Sequence, residues 1–201
     1  WLYGQATFWL VHLVVKFPIA LTAVLSTAFL YFVLNKIWGK YFALLTFVLL
    51  VFQPYFLFVM RIFHGDGTLT SFMGISALSL VYYLTLQEKK SLSLYISAVA
   101  AGLAFLAKMQ AIFLFPFAGL IFLVNFVFFK EESLGFYIKK GFLWLSISVL
   151  TIFALFPALW VDPGYVLGDM FEEAFVVAEQ GRNKTGGDNA LYIEQITPSL
   201  T

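Results

Sequence analysis

Arg61, His64 and Asp66 lie within the run Arg61-Ile-Phe-His64-Gly-Asp66-Gly. A guanidinium, an imidazole and a carboxylate this close can bind an anionic headgroup, orient a carboxylate or place a general base. The same run also reads as a hydrophilic turn between two helix ends, with Arg61 snorkelling to lipid phosphates. Its glycines, Gly65 and Gly67, allow a tight turn. They do not make a phosphate loop, because no Gly-Lys-Ser/Thr follows.

Lys108 is the second candidate. It is the sole charged residue between positions 91 and 129. A lysine unpaired at mid-membrane costs several kcal/mol. It either snorkels at a turn or pairs with a phosphate or a carboxylate such as Asp66. The third candidate is Trp160-Val-Asp162-Pro163-Gly164. Taken alone it is interfacial Trp followed by turn and cap chemistry.

Other chemistry finds no support. There is no cysteine, so disulfides, thiolate catalysis and Cys-ligated metals are excluded. His12 and His64 are far apart and lack metal-ligand spacing. No Gly-x-Gly-x-x-Gly follows a strand, and no serine nucleophile elbow occurs. The net charge is +1 without a basic stripe, which argues against a nucleic-acid partner.

The elements that must position these residues are apolar. The chain is 62% hydrophobic and 11% charged, against about 25% charged in globular proteins. Residues 17–34, 41–60, 67–86, 91–107, 109–129 and 141–161 contain no Asp, Glu, Lys or Arg. A hydrocarbon core of ~30 Å takes about 20 helical residues. The expected fold class is therefore an all-α membrane protein with about six transmembrane helices over residues 1–161. Residues 1–16 read as an interfacial helix, and 130–140 as a charged loop. An external segment, 162–201, follows. Within it, 165–180 sets Val166, Met170, Phe171, Phe175 and Val176 against Asp169, Glu172, Glu173 and Glu179, the pattern of an amphipathic helix. Asn183-Lys184-Thr185 fits the glycosylation acceptor pattern, a short one that recurs by chance. The chain starts at Trp1 rather than Met, and reads as a fragment of a longer protein.

If the spans alternate, connectors 35–40, 87–90 and 130–140 share one side. They hold Lys36, Lys40, Lys89, Lys90, Lys130, Lys139 and Lys140. The positive-inside rule makes that side cytoplasmic. Arg61, His64, Asp66, Lys108, Trp160 and Asp162 then meet at the external face from three separate connections. No internal repeat is apparent, which counts mildly against repeat-built transporters.

Three motifs in order carry a resemblance. They are Arg61-x-x-His64-x-Asp66 leading into Gly-Thr-Leu-Thr-Ser-Phe72-Met73, then Gly102-Leu103-Ala104-Phe105-Leu106-Ala107-Lys108, then Trp160-Val-Asp162-Pro163. Together they resemble the polytopic GT-C glycosyltransferases related to protein O-mannosyltransferases and bacterial aminoarabinose transferases. The resemblance covers about residues 15 to 201. It implies a GT-C-type helix bundle in the plasma membrane of a prokaryote, with its active site outside. It also implies transfer of a sugar from a polyprenyl-phosphate donor to a hydroxyl of a protein, lipid or glycan acceptor, by inverting displacement. By resemblance, Asp66 is a supporting carboxylate near the active site. Arg61, His64, Lys108, Trp160 and Asp162 bind substrate or the lipid phosphate. Gly187 through Pro198 resembles the stretch before a further helix. A divalent cation is compatible with the family, and no metal ligand set is assigned. Met109-Gln110 stands where the family has Ser/Thr-Pro. The family's principal carboxylate is expected upstream of Trp1. The alternatives from other classes are a transporter or flippase, with Asp66 and Lys108 buried as a relay at mid-bilayer, and a non-catalytic membrane subunit.

Overall fold

A computed structural model describes residues 2–61, 65–85, 91–129, 132–172 and 175–176. These residues form helices, with no strand among them. Two compact units divide the chain, Trp1–Leu155 and Phe156–Thr201.

The first unit opens with α1, Leu2–Trp38, a single helix that includes the stretch read as interfacial. Pro18 lies inside it and removes one backbone donor. Thr22 Oγ1 donates to the Pro18 carbonyl at 2.8 Å, tying the two turns together. Gly39 then turns the chain with φ 89°, a left-handed conformation that favours glycine. Helix α2, Lys40–Val51, returns along α1 and buries Ala43 completely.

The stretch 41–60 is divided rather than continuous. Pro54 cannot donate a backbone hydrogen bond, and its ring clashes with the preceding turn of a helix. The helix therefore stops at Val51 and resumes as α3, Pro54–Arg61. At the break the Gln53 side-chain oxygen accepts the Phe56 N–H, capping the new helix.

Helix α4, Gly65–Thr85, and α5, Ser91–Ala107, pack closely. A 3-10 helix, Met109–Phe113, leads into α6, Leu114–Phe129. Pro116 sits in the first turn of α6, where its missing N–H costs nothing. Helix α7 spans Leu134–Leu155, so Lys139 and Lys140 belong to its early turns. Among the described residues, four helical segments are long and apolar enough to cross a membrane: Lys16–Trp38, Gly65–Thr85, Met109–Phe128 and Leu134–Leu155. Lys40–Val51 and Ser91–Ala107 are apolar but shorter.

Lipid offers little hydrophobic drive between helices, so they associate through small residues and hydroxyls. Helix α5 shows this. Ala98, Ala101 and Ala104 are fully buried. A Cβ on Gly102 would stand 2.7 Å from Thr151 Cβ and 2.8 Å from the Ser148 carbonyl, so α5 and α7 touch at their backbones. Ser97 ties three helices: its hydroxyl donates to the Ser76 carbonyl at 2.8 Å and accepts the Trp144 Nε1–H at 2.8 Å. Ser148 Oγ lies 2.9 Å from the Ala98 carbonyl. Around this seam Leu80, Tyr83, Leu94, Leu114 and Phe122 close an apolar core. Large side chains such as Phe17, Leu21, Phe117 and Phe142 stay exposed, as a lipid-facing surface requires.

The second unit begins with α8, Ala158–Val161, and residues 163–172 are helical. Pro163 sits at the start of that helix, where it is well tolerated.

Candidate functional site

Asp66 lies in the first turn of α4, and Lys108 directly follows the last residue of α5. Lys108 Nζ and Asp66 Oδ1 are 2.5 Å apart, a contact ion pair. Each partner keeps about a third of its side chain accessible, 30% for Lys108 and 37% for Asp66. The pair therefore sits at the end of the helices, not sealed between them.

Each charge also suits its own helix. The amino end of α4 carries partial positive charge and favours a carboxylate; the carboxyl end of α5 carries partial negative charge and favours an ammonium. Two antiparallel helices thus present complementary charges side by side. Their backbones fix the spacing. A Cβ on Gly65 would stand 2.8 Å from the Ala107 carbonyl oxygen, so only glycine fits. Lys108 itself is extended, with φ −165° and ψ 137°, and its N–H donates to Ala104 at 3.1 Å. Its carbonyl accepts the Ala111 N–H at 3.0 Å, which starts the 3-10 helix. Met109 and Gln110 thus form a regular 3-10 start at the positions where the family has Ser/Thr-Pro. Thr68 and Thr70 hydroxyls bond the Gly65 and Asp66 carbonyls at 2.9 and 2.7 Å, reinforcing the first turn of α4.

Lys36 marks the opposite end of α4. Lys36 Nζ lies 5.7 Å from the Tyr82 ring, and Tyr82 is sixteen residues, about 24 Å, along α4 from Asp66. Lys140 Nζ lies over the Phe136 ring at 5.6 Å, near the start of α7.

Beneath the ion pair runs an apolar cavity of about 540 Å³ between α1, α4 and α5. Leu25, Phe29, Phe72, Ile75, Val99 and Leu103 contribute to its walls. Phe72 is six residues from Asp66, about 9 Å, and Leu103 five residues from Lys108, about 7.5 Å. Leu25 and Val99 are themselves exposed, so the cavity opens on the outer face of the helices. Its size suits a small-molecule or chain-like ligand. The sequence reading did not anticipate it, because its walls come from three helices with no shared motif.

Arg61, Trp160 and Asp162 belong to other elements or their ends. Arg61 closes α3, four residues before Gly65 opens α4. His64 lies outside the described residues, as do Asn183-Lys184-Thr185 and the stretch 187–198. Trp160 belongs to α8 of the second unit and is 58% exposed. Asp162 Oδ1 accepts the Tyr165 N–H at 3.0 Å, a helix-capping contact. Of the amphipathic stretch 165–180, residues 165–172 and 175–176 are described, and they are helical. Among the described residues no group of three or more His, Asp or Glu side chains could hold a metal.

No curated protein and no solved structure gives a significant match to this chain. The motifs that carry the resemblance fall within or beside a stretch that a family model matches independently. Residues 7–161 fit the model described as dolichyl-phosphate-mannose-protein mannosyltransferase, and over that majority of its length the chain belongs to this family of GT-C-type membrane glycosyltransferases.

Proposed function

We propose that the chain forms part of the catalytic cleft of an enzyme that moves a sugar from a polyprenyl-phosphate donor to an acceptor hydroxyl at the external membrane face. The observation that carries this reading is the Asp66–Lys108 pair at the end of α4 and α5, with an apolar cavity along the same two helices. The pair offers a cation for a phosphate. The cavity offers a place for an isoprenoid chain. A donor already dissolved in the membrane needs no nucleotide-binding domain.

The chemistry is an inverting displacement. The acceptor oxygen bonds to the anomeric carbon as the bond from that carbon to the phosphate oxygen breaks. A general-base carboxylate takes the acceptor proton, and polyprenyl phosphate leaves. Lys108 or Arg61 meets the charge that grows on the leaving phosphate, and His64 lies near Asp66 in sequence. Asp66 orients the acceptor.

Lys36, at the other end of α4 from Asp66, supports an external ion pair through the positive-inside rule. A relay for transport would bury both charges at mid-bilayer, whereas both stand at helix ends with partial exposure.

The test is an assay of the full-length protein in nanodiscs with a polyprenyl-phosphate-linked sugar, following released polyprenyl phosphate. Lys108→Ala should lower kcat/KM by roughly 10²–10³-fold, the usual effect of removing one transition-state contact. Turnover unaffected by this substitution would overturn the assignment.

A further inference from the structure

We propose that Asp66 is a competing counter-ion that lowers the affinity of the site for a phosphate monoester more than for a phosphate diester. The inference rests on the reading above, in which Lys108 receives the donor phosphate.

A phosphate that reaches the lysine competes with Asp66 for its charge. At 2.5 Å the ammonium is already neutralised by a carboxylate. A phosphate that binds Lys108 either takes the place of Asp66 or shares the ammonium with it, and in both cases sits near it as a like charge. The structure allows that exchange without moving a helix. The Gly65–Ala107 contact fixes the two backbones. Lys108 carries its charge on a flexible four-carbon stem, and both side chains are partly accessible. Once the pair opens, Asp66 keeps the favourable amino end of α4.

The exchange has a direction. A sugar linked through a phosphodiester carries one negative charge. When the anomeric carbon–oxygen bond breaks, the bonding electrons stay on the phosphate oxygen and the product is a monoester. A monoester carries about −1.5 to −2 charge at neutral pH. Asp66 therefore repels the product more strongly than the substrate, and competes for the same lysine. Closure of the Lys108–Asp66 pair drives out polyprenyl phosphate after each transfer. The carboxylate thus weakens product inhibition at the expense of some donor affinity.

The test measures binding of a C55 polyprenyl monophosphate to the full chain in nanodiscs, with polyprenol and inorganic phosphate as comparison probes. Asp66→Asn should tighten the monophosphate roughly 5- to 10-fold and leave polyprenol unchanged. In the full-length enzyme, product inhibition should rise by a similar factor and exceed the fall in donor KM. Asp66→Glu, which restores the charge, should return binding towards the native value. Asp66→Ser serves as the neutral variant if Asn impairs folding. Inorganic phosphate should bind far more weakly than the lipid and tighten in the same direction. Equal binding of inorganic phosphate would make free phosphate the ligand and overturn the lipid source. If Lys108→Ala leaves monophosphate binding unchanged, the reading of the site fails. If Lys108→Ala weakens it but neutralising Asp66 does not tighten it, the exchange alone is overturned.

Discussion

The amino-terminal residue of α4, Gly65, stands so close to the last carbonyl of α5, that of Ala107, that a single added methyl would approach its oxygen to 2.8 Å. This contact sets the distance between the two helix ends and, one residue further along each, the Asp66–Lys108 pair. Gly65→Ala should therefore spread the pair without removing either charge. The expected result is a kcat/KM reduced by about 10-fold, of the order found when a catalytic group is misplaced by a fraction of an ångström. The bundle should remain folded, because its main seam lies further along α4 and α5. Unchanged kinetics in a folded Gly65→Ala protein would show that the contact does not govern the site.

Gly102 makes the corresponding contact with α7. Its missing side chain leaves room for Thr151 and for the Ser148 carbonyl. Overpacking a tight interface costs about 1–3 kcal/mol. Gly102→Ala should thus lower the thermal midpoint in detergent measurably, whereas the same change at Gly119, which faces open space, should not. Equal midpoints for the two variants would show that α5 and α7 can move apart at no cost.

These two glycines show what the sequence did and did not disclose. Lys108 was conspicuous as a lone charge in a long apolar run, and Asp66 was the nearest available partner by topology. That pairing was legible because a membrane makes an unpaired lysine expensive. The Gly65–Ala107 approach was not, since it joins a glycine to a backbone carbonyl 42 positions away and leaves no side-chain pattern. The charge-free run from 41 to 60 reads as one span, whereas Pro54 divides it into α2 and α3. Trp160 and Asp162 join the ion pair as candidates through the alternation of spans and the family resemblance, and Asp162 accepts the Tyr165 N–H as a local helix cap. The Ser97 hub escaped notice because serines are common in transmembrane helices and only packing tells which ones bridge.

That hub can be apportioned. Trp144 Nε1–H donates to Ser97 Oγ at 2.8 Å, and the Ser97 hydroxyl in turn donates to the Ser76 carbonyl at 2.8 Å. Interhelical hydrogen bonds in membranes average about 0.6 kcal/mol. Trp144→Phe combined with Ser97→Ala in a double-mutant cycle should give a coupling of about 0.5–1.5 kcal/mol in unfolding free energy. A coupling near zero would mean that shape alone holds Trp144 in the core.

The cavity makes the last prediction, and it separates headgroup from chain. Leu103 lines it on α5, five residues before Lys108, while Val99 and Leu25 stand at its outer edge. A tryptophan at position 103 would fill space next to Phe72 without touching the charges. If the isoprenoid chain of the donor lies there, Leu103→Trp should raise KM for long-chain donors several-fold. A short-chain donor, with little hydrocarbon in the cavity, should be affected much less. The kcat for both should change little, because the anomeric carbon and the phosphate remain at the ion pair. The comparison across chain lengths is what decides the matter: a global disturbance of the fold would penalise both donors alike. A KM that rises equally for short and long chains would remove the lipid from this cavity, leaving the role of Lys108 to be judged on its own variants.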